Sequence, residues 1–239
     1  MSSEASLNIE NAWQSVALEE RIELISVAQA HGIKAALACM LVTFSIAYGR
    51  DEIFLLPFGL MMAFLLVPIY ASRCWRSRKP QIIMSYLAAR SVARRYGFVF
   101  RIKDLDILLI FKGTITPIYK DAEERRARLE MQDIDLESSP GSEKKECWIA
   151  LLRGAVVAFS EDVGGANLEF LTPINEKTAV RKASSEEGGG LIVDGCGRVE
   201  FGRVRFSSRY QAALYVFLKK LEVLIKNAED EARLPPGIS

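Results

Sequence analysis

Two nearly unbroken apolar runs dominate the hydrophobic pattern, and periodic alternation appears only outside them. Residues 33–49 read IKAALACMLVTFSIAYG, whose single charge, Lys34, sits at the end, where a long side chain can reach headgroups. Residues 53–71 read IFLLPFGLMMAFLLVPIYA without any charge, a stretch that nearly covers a hydrocarbon core ~30 Å thick. Neither run has the polar stripe of a helix in a soluble core. Pro57 and Pro68 are compatible with spanning, because neighbouring helices and side chains satisfy the freed carbonyls. Only Arg50, Asp51 and Glu52 separate the runs, enough for a turn, so the pattern predicts an antiparallel transmembrane hairpin over residues 33–71.

Before the hairpin, Leu18, Ile22, Ile25 and Gln29 recur at helical spacing, with Glu19, Glu20 and Glu23 around the other side. This predicts an amphipathic helix over 13–29 whose acidic polar face suits packing against protein, the preferred reading, or running straight on into the first span. After the hairpin, Pro80 suits a helix start and Gly97 a stop, giving a basic juxtamembrane helix. FVFRI at 98–102 and LDILLIFKG ending at Gly113 predict two strands, and the spacing of Asp121 and Glu124 predicts a solvated helix over 121–132. An exposed loop over 133–145 follows. CWIALLRGAVVAF, interrupted at Arg153 and Gly154, reads as a bent strand or strand pair, and NLEFLTPI as another strand before a polar loop at 175–187. Asp194 and Gly195 sit between two apolar strands as a hairpin signal, with a bulge at Gly202 needed to keep Val199, Phe201, Val204 and Phe206 on one face. The last helix carries Ser208 and Gln211 in capping-box spacing and an apolar stripe through Tyr210, Leu214, Phe217, Leu221 and Ile225.

The predicted fold class is therefore α+β: an N-terminal two-helix transmembrane hairpin, then a mixed domain with a mainly antiparallel sheet and a C-terminal amphipathic helix. Its expected parts are an N-terminal cytoplasmic segment 1–32, the hairpin 33–71 (33–49 and 53–71), a basic helix 72–97, a domain 98–234 and a tail 235–239. A length of 239 residues suits an anchor plus one compact domain.

Charge sets the orientation. The net charge is only +1, which gives no reason to expect nucleic acid, yet no acidic residue occurs between Ile53 and Lys103. Arg73, Arg76, Arg78, Lys79, Arg90, Arg94 and Arg95 all fall there, so positive-inside logic puts this side, and both termini, in the cytoplasm. Acidic residues through the first 32 positions differ from a short basic leader, so the N-terminus is expected to be retained. Cys39, Cys74, Cys147 and Cys196 are scattered without a CxxC, which fits a reducing compartment. The arrangement resembles that of many bacterial inner-membrane proteins, in its anchoring only.

Candidate chemistry is sparse. His31 is the one histidine and lies at the membrane boundary, which removes most Ser/His and Cys/His arrangements. The glycines at 188–190 and 195–197 match neither phosphate-loop pattern, and Glu161, Asp162, Glu169 and Asp194 have no calcium-loop spacing. No cofactor and no catalytic residue is expected. Arg73, Arg76, Arg78 and Lys79 are candidate lipid-headgroup contacts, and Tyr70 and Trp75 fit an interfacial aromatic belt. Cys74 lies where acylation is chemically feasible, with an unmodified thiol the default. Gly59 and Ala63 have the small-xxx-small spacing of closely approaching helices.

These features point to a non-catalytic, membrane-anchored interaction or assembly module, with the bilayer, anionic headgroups and a membrane-protein partner or further copies as its partners. The alternatives are a ligand-sensing regulator and a membrane-associated enzyme acting on a lipid or nucleotide, for which Arg153, Asp162 and the glycine loops are the first suspects.

Overall fold

The computed structural model describes residues 13–14, 16–118, 144–162, 165–184, 189–195 and 203–233. The expected helix at 121–132, the loop up to residue 143, the bulge at Gly202 and the tail at 235–239 lie outside them. The described residues hold three long helices and a seven-stranded antiparallel sheet, so the fold is α+β. The chain divides into two compact units, Met1–Tyr86 and Leu87–Ser239.

The first unit is built on a helical hairpin. Helix α1 spans Leu18–Arg50 and helix α2 begins at Leu55, running to Val99. The turn between them closes as the sequence requires: Asp51 takes the left-handed conformation (φ 59°) and the Glu52 N–H donates to Ala47 O at 2.9 Å. The helices expected at 13–29 and 80–97 are not separate elements. From Leu18 the first runs straight on into the apolar stretch, after a break at Val16 and Ala17, and the second continues α2, with Pro80 inside that helix instead of opening one.

The face that α1 buries differs from the expected one. Leu18, Ile22 and Ile25 point outward, while Glu20, Leu24 and Ala28 are buried. Glu20 sits inside because it has a partner distant in sequence: Tyr86 Oη donates to Glu20 Oε2 at 2.6 Å and accepts from Ala17 N at 3.4 Å. A buried carboxylate needs such a donor to offset its lost hydration. Tyr86→Phe withdraws the hydroxyl from both groups at once, with an expected loss of about 1–3 kcal/mol read by detergent-solubilised chemical unfolding.

Further along the hairpin, small residues set the interhelical distance. A Cβ added at Gly32 would lie 2.5 Å from Val67 O, and one at Gly59 would lie 2.4 Å from Thr43 Cγ2. The small-residue spacing of Gly59 and Ala63 is thus used within the hairpin, Ala63 being buried.

The second unit starts on the last turns of α2. FVFRI does not form a strand: α2 carries on to Val99 and ends at Arg101, whose φ of 54° lets Ile102 N donate to Gly97 O at 2.9 Å and Arg101 N to Phe98 O at 3.0 Å. Gly97 does not stop the helix. Its missing side chain admits Leu105 and Leu152, whose Cδ2 atoms would lie 2.5 and 3.0 Å from a Cβ placed there.

The sheet follows as β1 (Ile107–Pro117), β2 (Lys145–Leu152), β3 (Ala155–Asp162), β4 (Gly165–Pro173), β5 (Ala179–Lys182), β6 (Leu191–Asp194) and β7 (Arg203–Ser207). Their order is β4-β3-β2-β1-β7-β6-β5. The interrupted apolar run is a hairpin, with β2 and β3 joined at Arg153 and Gly154. Strand β5 falls within the expected polar loop; its Val180 pairs with Val193 and its Arg181 with Ile192. Asp194 pairs with Arg203, so β6 and β7 are adjacent as expected, but Asp194 and Gly195 do not form a two-residue turn.

Helix α3 (Gln211–Arg233) buries Leu214, Phe217, Leu218, Leu221 and Ile225, and Phe217 meets Phe111 of β1 and Phe206 of β7 edge-on. Ser208 prepares its start by accepting from Tyr210 N at 3.0 Å while donating to Lys112 O at 2.6 Å. Gln211 Nε2 reaches the Ser208 carbonyl at 3.1 Å rather than its N–H, so the cap residue is the expected one with a different reciprocal bond.

Candidate functional site

The hairpin's outer surface is its main chemical feature. Both α1 and α2 carry a window long and apolar enough to cross a membrane, and only 11% of each window is buried. Leu41, Phe44 and Tyr48 on α1 and Phe58, Phe64 and Ile69 on α2 are among the exposed side chains. A helix at the centre of a soluble core would have these covered.

Where the apolar runs give way to charge, the two helices border an open cavity of about 610 Å³ whose charged lining residues are exposed. His31, Lys34 and Ala35 of α1 line one wall, and Tyr70, Arg73, Cys74, Ser77 and Arg78 of α2 the other. Helical geometry explains this selection: positions three, four, seven and eight apart share a side, so 70, 73, 74, 77 and 78 converge. Among the candidate headgroup contacts, Arg73 and Arg78 therefore meet in one cavity, with Tyr70 beside them.

Arg76 and Lys79 are not among the lining residues. Lys79 Nζ lies 5.1 Å from the Trp13 ring centroid and 5.6 Å from that of Trp75, and the two indoles meet edge-on at 5.4 Å. Trp75 and Lys79 are thus half-buried in a cation–π cluster. His31 and Lys34, which the sequence places at the membrane boundary, complete the lining; that they share it with Arg73 and Arg78 follows only from the pairing of the two helices.

A second cavity, about 690 Å³, opens on the sheet unit beside Lys112, Glu146, Trp148, Glu161 and Arg209. Its lining mixes both signs of charge, and Lys112 Nζ stands over the Trp148 ring at 4.9 Å. Cys147 borders it with a buried thiol pushed up to about 12, first by burial and then by Glu169, against the pull of the Ile115 backbone. Such a thiol holds its proton and is a poor nucleophile at neutral pH. Since the unfolded thiol ionises near 9.0, stability falls as pH rises from there towards 12, by about 1.4 kcal/mol per pH unit. Cys147→Ala should remove that alkaline slope in pH-resolved unfolding, and maleimide should label Cys147 only after denaturation.

The enzyme suspects are not brought together. Arg153 lies in the β2–β3 turn with its guanidinium 3.4 Å from Asp104 and 3.8 Å from Asp106, while Asp162 ends β3 at its far end, on the order of 23 Å along the strand. Glu169 is held by Lys145 at 3.0 Å and Ser160 at 2.6 Å, and Asp194, on β6, accepts from Arg203 Nε at 2.9 Å. Among the described residues no three His, Cys, Asp or Glu side chains gather as a metal site. Gly189 and Gly190, with φ of 68° and 98°, shape the link between β5 and β6.

No protein-family model matches the sequence, and no curated protein does. Among solved structures the chain is similar to Vav1 bound by an allosteric inhibitor, with 12% identity and a TM-score of 0.34 over 77% of this chain and 46% of that one. It is also similar to the DH/PH domains of PDZ-RhoGEF in complex with activated RhoA, at 9% identity and 0.35, covering 70% and 48%. A ternary complex of human RhoA, its inhibitor and the DH/PH domain of human ARHGEF11 gives 11% and 0.36, covering 92% and 68%. The chain spans about half the length of the first of these structures.

Proposed function

We propose that this protein is a membrane-anchored interaction or assembly module. In this reading the α1–α2 hairpin spans a bacterial inner membrane, both termini face the cytoplasm, and the sheet unit acts there without catalysis, as a subunit or scaffold of a membrane complex. The observation that carries the reading is the exposure of the two apolar windows, each 11% buried although they are the most apolar stretches of the chain. Apolar surface on that scale needs a covering, and helices longer than about 20 residues are long enough for lipid tails to provide it. The acid-free stretch from Ile53 to Lys103 supports the orientation.

Gentle extraction into nanodiscs, followed by mass analysis, tests the proposal. The expected result is a protein that resists alkaline carbonate and purifies with a stoichiometric protein partner or further copies. Release by carbonate would overturn the anchoring, and a lone monomer would overturn the assembly role. The cavity beside Lys112 and Trp148 favours a second reading, a small-molecule sensor, whose mark would be stabilisation by a defined ligand without turnover.

A further inference from the structure

We infer that the cavity lined by His31, Lys34, Arg73 and Arg78 is a binding site for the phosphate of an anionic phospholipid headgroup. The inference rests on the membrane-spanning reading of the hairpin and goes beyond it, because positive charges that only set topology need not share a cavity.

Position is the first argument. Lining residues 31, 34 and 35 bracket the start of the first apolar run, and 70, 73, 74, 77 and 78 bracket the end of the second. The backbones are held in close register there, since Gly32 packs against Val67. Both walls of the cavity therefore reach the level at which hydrocarbon gives way to headgroups, where phosphates lie.

Charge is the second. Lys34, Arg73 and Arg78 bring three fixed positive charges to one cavity, and among the described residues no carboxylate lines it. Among the described residues none of the three has an ion-pair partner. Like charges gathered beside a low-dielectric layer repel, and an anion between them relieves the repulsion.

The donor chemistry narrows the anion to a phosphate. Two guanidinium groups offer planar forks that match phosphate oxygens in pairs, Lys34 adds a compact charge, and the hydroxyls of Tyr70 and Ser77 supply further donors. A volume of about 610 Å³ accommodates a phosphate with its glycerol backbone. The neighbouring cation Lys79 is instead placed over two indoles, so the basic run is divided between a structural cluster and this cavity.

The test uses the full chain in phosphatidylcholine nanodiscs carrying a minor share of phosphatidic acid or phosphatidylglycerol, with retained lipid read by native mass spectrometry. One anionic lipid should remain per hairpin. The R73Q/R78Q double variant should lower its retention about tenfold or more, and Lys34→Gln, on the other helix, should lower it in the same direction. Arg73→Lys, which keeps the charge, should restore much of the binding, while Arg76→Gln, outside the cavity, should change it by less than about twofold. An equal loss from Arg76→Gln would show diffuse surface attraction and overturn the site. Inorganic phosphate that displaces the lipid and binds the lipid-free protein as tightly would overturn the lipid assignment in favour of free phosphate. A chain that does not co-elute with nanodiscs would overturn the membrane reading together with this one; co-elution without headgroup preference would overturn this one alone.

Discussion

Gly32→Leu will force α1 and α2 apart and cost the hairpin about 3 kcal/mol, the upper part of the range for overpacking a tight contact. A Cβ at position 32 would meet Val67 O at 2.5 Å and the Val67 carbonyl carbon and Cα at 3.2 Å. These are backbone atoms inside α2, so no side-chain rotation can relieve the clash. A leucine adds three more carbons in the same direction. Where lipid surrounds two helices, association depends on close packing more than on the hydrophobic effect, so a lost backbone approach is poorly compensated. Equilibrium unfolding in mixed micelles with increasing sodium dodecyl sulfate measures the difference. Gly49 is the matched control, because nothing lies within 4 Å of a Cβ there. Gly49→Ala should be neutral or stabilise by up to about 1 kcal/mol through helix propensity. If Gly32→Leu unfolds at the same detergent fraction as the parent, the close approach at Val67 is not what holds the hairpin together.

Gly32 stands at small-xxx-small spacing with Ala28 and Ala36, a local signal, but that spacing alone does not say which backbone it meets. What was legible was whatever repeats locally: the two apolar runs, the stripe of α3, and the β2–β3 pair broken at Arg153 and Gly154. What was not legible depends on partners distant in sequence. Glu20 reads as a solvent-facing charge until Tyr86, 66 positions away, supplies its donor. FVFRI alternates like a strand, yet α2 runs on into it as far as Val99 and the left-handed backbone at Arg101 closes the helix there. AVRK has little apolar signal and becomes β5 only because β6 pairs with it. The candidate site divides in the same way. Arg73 and Arg78 stood in the sequence as candidate headgroup contacts by residue type and position alone, whereas their separation from Lys79 and their convergence with His31 and Lys34 required the pairing of two helices.

The same dependence on distant partners makes Phe217 the most sensitive single side chain of the sheet unit. Phe217→Ala should cost about 3–5 kcal/mol, the usual range for truncating a fully buried aromatic ring. The ring is 0% exposed and stands edge-on to Phe111 at 5.8 Å and to Phe206 at 6.0 Å, so it joins α3 to β1 and β7 at once. Phe206 in turn meets Phe170 of β4 at 5.7 Å, which carries the loss to the other edge of the sheet. Edge-to-face pairs contribute about 0.5–1.5 kcal/mol each beyond area burial, so the value should fall towards the top of the range. Set against a total stability of about 5–15 kcal/mol for a domain, this removes a large fraction of what keeps the unit folded. Urea unfolding of the detergent-solubilised full chain, followed by near-ultraviolet circular dichroism, reads the loss. Val223, 59% exposed on the same helix, is the comparison, and Val223→Ala should stay within about 0.5 kcal/mol of the parent. Because the hairpin belongs to a separate compact unit, the helical far-ultraviolet signal of α1 should survive when the sheet unit of Phe217→Ala melts. Loss of both signals in one transition would show instead that the two units fold as one.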